Sequence, residues 1–444
     1  MAKKAKKLDE LGAWRRTHYS CDILPEIDGK EVTIFGLAAS IRRQGGITFI
    51  ILQDKEGIVQ ITLHRDRVSE ELWKKCEELK EQSFIGIRGI VKKIEKAPRG
   101  AEILPIEMKV LAYPIRQPPF QILKRREPSL EKRLDIRAVD LRRPKVQAIF
   151  RIRHTVLQAF RELLLQRGYM EVDTPKIIAS ATEGGAALFP LLYYDKEAFL
   201  VQSPQLYKEQ LASAFERVFE IAPAFRAERF RTTRHLSEFL SFDVEEAFVS
   251  YEDVMGLLED LTIHAVKKVE ERCAKELEAL KVRLPSLDRP FKKITYDEAL
   301  GILKEEGIEI PWGEDFSTEA LKALGSRYQG FYFITDWPTV TKAFYIKPRD
   351  DNPKISESFD FMGGPMEVAS GGSRISDRRL LTKRLREKGL NPRSFEYHLK
   401  VFDYGMPPHA GFGMGFDRFI MFLTGQENIR EVVLYPRDQV RLTP

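Results

Sequence analysis

Between Phe225 and Asp243 the chain reads Phe-Arg-Ala-Glu-Arg-Phe-Arg-Thr-Thr-Arg-His-Leu-Ser-Glu-Phe-Leu-Ser-Phe-Asp, with neither Gly nor Pro. Arg226 offers a planar fork suited to a phosphate, Glu228 can accept from an exocyclic amine, and Phe239 offers a face on which a base can stack. Together they suit a nucleotide; a solvated, charged hairpin without a ligand is the competing reading. A second constellation is Asp360 and Glu367, which bracket Phe-Met-Gly-Gly-Pro-Met. If Gly363 and Gly364 are the central residues of a hairpin turn, position 360 stands across from 367 and the two Cβ atoms are about 5 Å apart. Like charges that close are unfavourable unless a cation lies between them, and oxygen ligands suit Mg2+; one protonated or solvent-facing carboxylate is the alternative.

These groups need elements to hold them. Runs able to form strands at 218–225 and 239–249 flank the basic segment, so it reads as the loop of a long hairpin. Near the C-terminus, Gly411-Phe-Gly-Met-Gly-Phe-Asp-Arg418 reads as a Gly-rich strand running into a helix. Upstream, Ile149, Ile152, Val156, Phe160, Leu163 and Leu164 recur at helical spacing, and Gly168 closes that helix. Val254, Leu257, Leu258 and Leu261 mark one face of a charged helical stretch over 251–280, which reads as scaffold. Before these, five β-rich segments (32–38, 47–53, 58–63, 84–94 and 102–111) with a helical stretch at 68–79 after the third match a small OB barrel, a fold whose strands and loops commonly bind single-stranded nucleic acid.

Three stretches together carry a resemblance. Phe-Arg-x-Glu followed by Arg-His-Leu-x-Glu-Phe resembles motif 2 of the class II aminoacyl-tRNA synthetases, the Gly-rich tail resembles motif 3, and Gly168-Tyr-Met-Glu-Val-Asp-Thr-Pro175 resembles motif 1, the dimer-forming segment. The likeness spans roughly 18–444 and is greatest to the archaeal and eukaryotic branch of class IIb aspartyl-tRNA synthetases. It implies an α+β protein, with an N-terminal OB-fold barrel and a catalytic domain of mainly antiparallel sheet flanked by helices. The implied boundaries are a basic tail at 1–18, an anticodon-binding OB domain at 19–111, a Pro-, Arg- and Lys-rich hinge at 112–144 and the catalytic domain at 145–444.

The resemblance also implies roles. ATP would be held by Arg226, Glu228, Arg234, His235, Phe239, Glu367 and Arg418, with Arg226 and Arg418 acting on its phosphates. Mg2+ would be held by Asp360, Glu367 and Ser370. Aspartate would meet Glu183, Gln205, Lys208, Asp243, Ser370 and Arg374, with Lys208 and Arg374 on its side chain. Aspartate and asparagine are nearly the same size, so discrimination must use charge and hydrogen bonding. The asparaginyl enzymes typically lack that Lys. Phe49, Gln60 and Glu102 match residues that contact anticodon bases, although Phe49 is equally compatible with barrel core. At Ala39 and Pro98, enzymes restricted to tRNA-Asp tend to carry Trp and Lys. Neither Ala nor Pro has a side-chain donor to offer a base, which points to a non-discriminating enzyme charging tRNA-Asp and tRNA-Asn and needing an amidotransferase partner. Departures from the pattern are the Gly363-Gly364 turn, Ser373 where Gln is usual, and Arg229-Phe230 where Glu-His is frequent.

Composition agrees without deciding the matter. The 444 residues suffice for two or three domains, 43% are hydrophobic, and the net charge of +6 sits on a chain that is 31% charged. No apolar run approaches the roughly 20 residues of a membrane span and no signal peptide is evident, so a cytoplasmic protein is expected; the resemblance to motif 1 implies a homodimer. Cys21, Cys76 and Cys273 are odd in number and far apart, which fits free thiols rather than zinc or disulfides. The rival functions are an asparaginyl-tRNA synthetase, a paralogue making an amide or adenylate without tRNA, and a tRNA-binding module that has lost catalysis.

Overall fold

The computed structural model describes residues 8–120, 122–123, 128–179, 188–285, 287 and 289–444. They form two compact units: one runs to Arg133 and includes Ala138–Pro144, the other takes Leu134–Arg137 and Lys145–Pro444.

The first unit is a closed barrel of β1 (Glu31–Gln44), β2 (Ile47–Asp54), β3 (Gly57–His64), β4 (Phe84–Lys93) and β5 (Ala101–Ala112), in the order β1-β2-β3-β5-β4. Helix α1 (Glu70–Glu78) falls between β3 and β4, as the sequence predicts. Ser69 caps it by accepting from the Leu72 amide, and Leu72, Trp73 and Cys76 face inward. Alternation sends Ile34, Ile50, Leu52, Ile61, Ile85, Ile87 and Ile103 into the barrel core.

The second unit is built on an eight-stranded sheet. Its strands are β6 (Met170–Glu171), β10 (Arg217–Phe225), β11 (Glu238–Ala247), β12 (Lys292–Thr295), β13 (Phe331–Thr335), β14 (Ser358–Gly363), β15 (Met366–Ser373) and β16 (His409–Gly415), ordered β12-β13-β14-β15-β16-β11-β10-β6. Only the outer pairs β12/β13 and β10/β6 are parallel. A small sheet of β7 (Ile177–Ile178), β8 (Pro190–Tyr193) and β9 (Lys196–Leu200) stands beside it in sequence.

Strand alternation divides the large sheet into an apolar and a polar face. Phe242, Val244, Phe359, Phe361, Ala369, Phe412 and Met414 join the main core with residues of α2 (Pro144–Gln166), α3 (Tyr251–Arg272) and α4 (Phe416–Thr424). Val254, Leu257, Leu258 and Leu261 are all buried there, so α3 is scaffold as its periodicity implies. The opposite face has a different chemistry. Asp360 pairs with Ser370, Ser370 with Gly413, Gly413 with Asp243 and Asp243 with Glu220, a transverse row of polar side chains and one glycine across five strands. The floor of a cleft is thus set by backbone register.

Candidate active site

The cleft encloses about 1040 Å3 including its open mouth. Its lining contains Gln205, Arg226, Glu228, Arg234, His235, Phe239, Asp243, Glu367, Ser370, Arg374 and Arg418, residues drawn from segments more than two hundred positions apart. Lys208 and Asp360 are not part of the lining; both are buried. Glu183 lies outside the described residues.

One wall is the expected hairpin: β10 and β11 pair from Arg217↔Glu246 to Phe225↔Glu238. Arg226 follows β10 directly, and its guanidinium carbon lies 5.3 Å from the ring centre of Phe239, on the neighbouring strand. Beyond them Arg234 donates to the Pro365 carbonyl at 3.1 Å. His235 bridges two elements. Arg418 donates from Nη2 to His235 Nε2 at 3.0 Å, so that nitrogen is the acceptor and Nδ1 carries the proton given to Thr232 Oγ1 at 2.7 Å. Burial first and the Arg418 charge second push His235 below the usual imidazole range, consistent with a neutral ring. Arg418 itself stands in the first turn of α4 and also donates to the Glu367 carbonyl at 3.2 Å.

The pairing expected of Asp360 and Glu367 is corrected. The turn centres on Gly364 and Pro365, because Gly363 pairs with Met366 and Gly364 has φ +54°. Met362 then pairs with Glu367, a bulge follows, and Asp360 stands across from Ser370. The physical effect is to re-aim a side chain. Without the bulge Glu367 and Ser370, three residues apart, would point to opposite faces; with it both line the cleft on the face that carries Asp360. Burial, then the nearby Asp360 charge, pushes the Glu367 carboxyl above the usual range, against the pull of Arg418 and Lys342. Three hard oxygen donors, from Glu367, Ser370 and Asp360, are of the kind that would suit Mg2+. Among the described residues no cluster of three or more His, Cys, Asp or Glu could hold a metal alone.

Deeper in, Lys208 on the helix Gln205–Phe215 is fully buried; its Nζ donates to Asp243 Oδ1 at 3.0 Å and to the Phe412 carbonyl at 2.9 Å, with Glu245 Oε2 at 3.5 Å. Arg374 grips Glu245 through Nε at 2.9 Å and Nη2 at 3.2 Å, and Nη2 lies 3.5 Å from Gln205 Oε1. Two glycines of β16 leave room for this network. Gly411 is paired with Glu245, and a Cβ there would come within 2.2 Å of Glu245 Oε2. At Gly413 it would meet Asp243 Oδ1 at 3.2 Å.

Several participants escape sequence reasoning. Glu245 could have been found, since it is two residues from Asp243 on the same strand face. Glu209 accepts from Gln205 Nε2 at 2.7 Å and lies 3.4 and 3.6 Å from the Nε2 atoms of buried His398 and His409. Burial opposes a charged His409, but Glu209 prevails and holds it above the usual imidazole range. Asp417 ties the start of α4 to Arg153 on α2 and accepts from the Leu240 amide at 2.9 Å.

In the barrel, register groups the three candidate anticodon residues. Phe49 pairs with Thr62, and Gln60 with Glu102. Glu102 Oε2 accepts from Gln60 Nε2 at 2.8 Å and from Thr62 Oγ1. Phe49 is half-buried and stands outside the barrel core, with the Arg42 guanidinium 5.7 Å from its ring centre. Ala39 is the bulged residue between Ala38 and Ser40 and lines a separate pocket with Glu81, Gln82 and Phe120; Pro98 opens the turn Pro98–Gly100 before β5.

A mainly antiparallel sheet whose polar face joins a hairpin arginine, a Gly-rich strand and the arginine of the following helix has the architecture of a class II aminoacyl-tRNA synthetase. Comparison makes the assignment narrower. The family model for tRNA synthetases class II (D, K and N) matches residues 129–439, and that for OB-fold nucleic acid binding domains matches 32–112. The chain belongs to this family, in its archaeal-type aspartyl/asparaginyl branch, and is an aminoacyl-tRNA ligase. It is 50% identical over 427 residues to the aspartate–tRNA(Asp/Asn) ligase of Archaeoglobus fulgidus (96% of this chain, 99% of the relative). It is also 50% identical over 432 residues to the ligase of the same name from Methanocaldococcus jannaschii (97% and 99%). Asparaginyl-tRNA synthetase from Pyrococcus horikoshii, complexed with asparaginyl-adenylate, superposes with a TM-score of 0.93 at 35% identity, covering 97% of this chain and 100% of that one. Aspartyl-tRNA synthetase from Entamoeba histolytica gives 0.87 at 31% identity (96% and 92%). No described helix is long and apolar enough to cross a membrane.

Proposed function

We propose that the chain joins L-aspartate to tRNA through aspartyl adenylate and accepts both tRNA-Asp and tRNA-Asn. The observation that carries the choice of aspartate is the state of Arg374. One edge of its guanidinium is committed to Glu245, while Nη1, on a residue that lines the cleft, makes no hydrogen bond among the described residues. A charge-assisted donor backed by the Lys208 ammonium suits a side-chain carboxylate; an asparagine amide would present its own N–H groups to two cations. An incoming carboxylate would take the place of Glu245 as the third, longer contact of Lys208.

In this reading Arg226 steadies the α-phosphate, Phe239 stacks on adenine and Glu228 accepts from its amine. Gln205 meets the ammonium of the amino acid. Mg2+ supplies charge neutralisation for the triphosphate. An α-carboxylate oxygen of aspartate attacks the α-phosphorus, the bond to pyrophosphate breaks, and Arg418 meets the charge on the departing group. The 3′-hydroxyl of the terminal adenosine of tRNA then attacks the adenylate carbonyl and AMP leaves. The protein contributes positioning and fixed charge rather than a covalent nucleophile.

Relaxed tRNA choice is supported by the absence of a side-chain donor at Ala39 and Pro98, and by the similarity to ligases whose names specify tRNA(Asp/Asn). A homodimer through 168–175, a cytoplasmic location and an amidotransferase that converts aspartyl-tRNA-Asn complete the reading. ATP–pyrophosphate exchange with aspartate, asparagine and lysine tests the amino acid, with exchange expected for aspartate alone. Aspartylation of tRNA-Asp and tRNA-Asn transcripts tests the rest. One wrong base contact is worth about 1–3 kcal/mol, so efficiency about a hundredfold lower on tRNA-Asn would overturn relaxed choice.

A further inference from the structure

The two carboxylates at the candidate metal site are unequally neutralised. Both oxygens of Asp360 accept from Lys342 Nζ, at 2.7 and 2.9 Å, and Asp360 is only 6% exposed. The same ammonium lies 4.2 Å from the ring centre of Trp337, which is buried and pinned by its indole N–H to the Ile334 carbonyl at 3.1 Å. Glu367 has no such cation on its carboxylate among the described residues. Lys342 lines the cleft together with Glu367 and Ser370, whereas Asp360 does not. An ammonium therefore stands between the cleft and the second carboxylate.

We propose that Lys342 is an exchangeable counter-ion: Mg2+ entering with ATP takes Asp360 from it, and the released ammonium swings off Trp337 to bind the β- and γ-phosphates. This rests on the assignment of Asp360 and Glu367 to Mg2+. The exchange leaves neither Asp360 nor the ammonium without an opposite charge. Asp360 trades one cation for another, and the lysine trades a carboxylate for a phosphate on a flexible four-carbon stem. No bond to carbon or phosphorus is made or broken in it. Its value is order: without nucleotide, Asp360 is never a bare buried charge, and metal binds tightly only when phosphates are present to receive the lysine.

Opposed changes in two affinities test this, since a merely structural lysine would not produce them. In Lys342→Met, binding of Mn2+ in the absence of nucleotide, read by the electron paramagnetic resonance of free Mn2+, should tighten roughly tenfold because a competing cation is gone. ATP binding at saturating Mg2+, read by calorimetry, should weaken roughly tenfold for loss of a charge-assisted contact. Unchanged or weaker Mn2+ binding in this variant, or unchanged ATP binding, overturns the exchange. Glu367→Gln serves as the separate check: if it binds Mn2+ like the wild type, the metal assignment itself falls, and the exchange with it. A measurement that needs no Lys342 variant guards against misfolding. Trp337 emission, taken as the difference between wild type and Trp337→Phe, should shift when Mg2+ and ATP are added together and stay fixed with either alone. A signal blind to the pair overturns the proposal.

Discussion

The polar face of the catalytic sheet and the open face of the barrel both present side chains from neighbouring strands to a ligand, but they hold them in different ways. At the floor of the cleft and beneath it, Lys208, Asp243, Glu245 and Arg374 are buried, and each is bonded to another member of the set. On the barrel, Glu102 is buried but Phe49 and Gln60 are half-exposed, and the group has a single carboxylate, shared by Gln60 and Thr62. A charge developing on a phosphate is stabilised best by dipoles and ions that need no reorganisation, whereas a base can stack on any accessible aromatic face. Fixed electrostatics should therefore be intolerant of substitution, and the stacking surface graded.

The largest effect is expected where the fixed network has no spare volume. Gly411→Ala drives a methyl group into Glu245 and the Val244 carbonyl. Overpacking costs about 1–3 kcal/mol, and displacing Glu245 would strand the buried Arg374, a loss of roughly 3–5 kcal/mol. A sharply lowered urea midpoint together with loss of exchange activity is the expected outcome; a wild-type midpoint would show that the network can move. Next is Lys208→Leu, which leaves Asp243 with Ser241 but strips the ammonium from Asp243 and Glu245. Aspartate activation should fall by on the order of 3–5 kcal/mol in transition-state terms while ATP binding persists. Retention of wild-type selectivity for aspartate over asparagine would remove the specificity role from this residue. In the barrel the scale drops: Phe49→Ala should weaken tRNA binding by about 1–3 kcal/mol and leave tRNA-independent pyrophosphate exchange untouched. If exchange fell too, Phe49 would be a folding residue rather than a stacking one.

The same contrast explains what was legible in the chain. The barrel and the hairpin follow from alternation and turn residues, which act over a few positions, and β1 to β5 and β10/β11 appear where the pattern places them. Of the described side chains that resemblance assigns to nucleotide, metal and amino acid, all meet in one cleft except Lys208 and Asp360, which are buried outside its lining; Glu183 lies outside the described residues. The Asp360–Glu367 geometry failed for a local reason: Gly364-Pro365 rather than Gly363-Gly364 makes the turn, and the bulge beyond it leaves no mark in composition. Arg153 with Asp417, and Glu209 with His398 and His409, lie 189 or more positions apart, so only tertiary register could disclose them. Gly411 and Gly413 were read as features of a motif; the carboxylates opposite them are the physical reason for the motif.

The smallest effect probes the rim, where cleft side chains are half-exposed as in the barrel, and asks whether fixed polarity reaches that far. His235 must keep Nε2 unprotonated to accept from Arg418. Burial and the Arg418 charge disfavour imidazolium, so its folded pKa lies below the unfolded value of about 6.5. As pH falls through that unfolded value the denatured chain takes up the proton first, so stability declines from near pH 6.5 downwards and the decline ends once the folded ring also titrates. His409, shifted the other way, stabilises at low pH and loses that contribution as pH rises through its folded value, so the total profile mixes opposite slopes. The difference between wild type and His235→Asn isolates one of them, because Asn can accept from Arg418 without titrating. Urea midpoints at pH 7.5, 6.5 and 5.0 should show the variant gaining on the wild type toward acid. Solvent screening at a half-exposed side chain keeps the gain under about 1 kcal/mol. A difference that does not vary with pH would mean that the rim adapts as the barrel face does, and that fixed electrostatics end at Arg418.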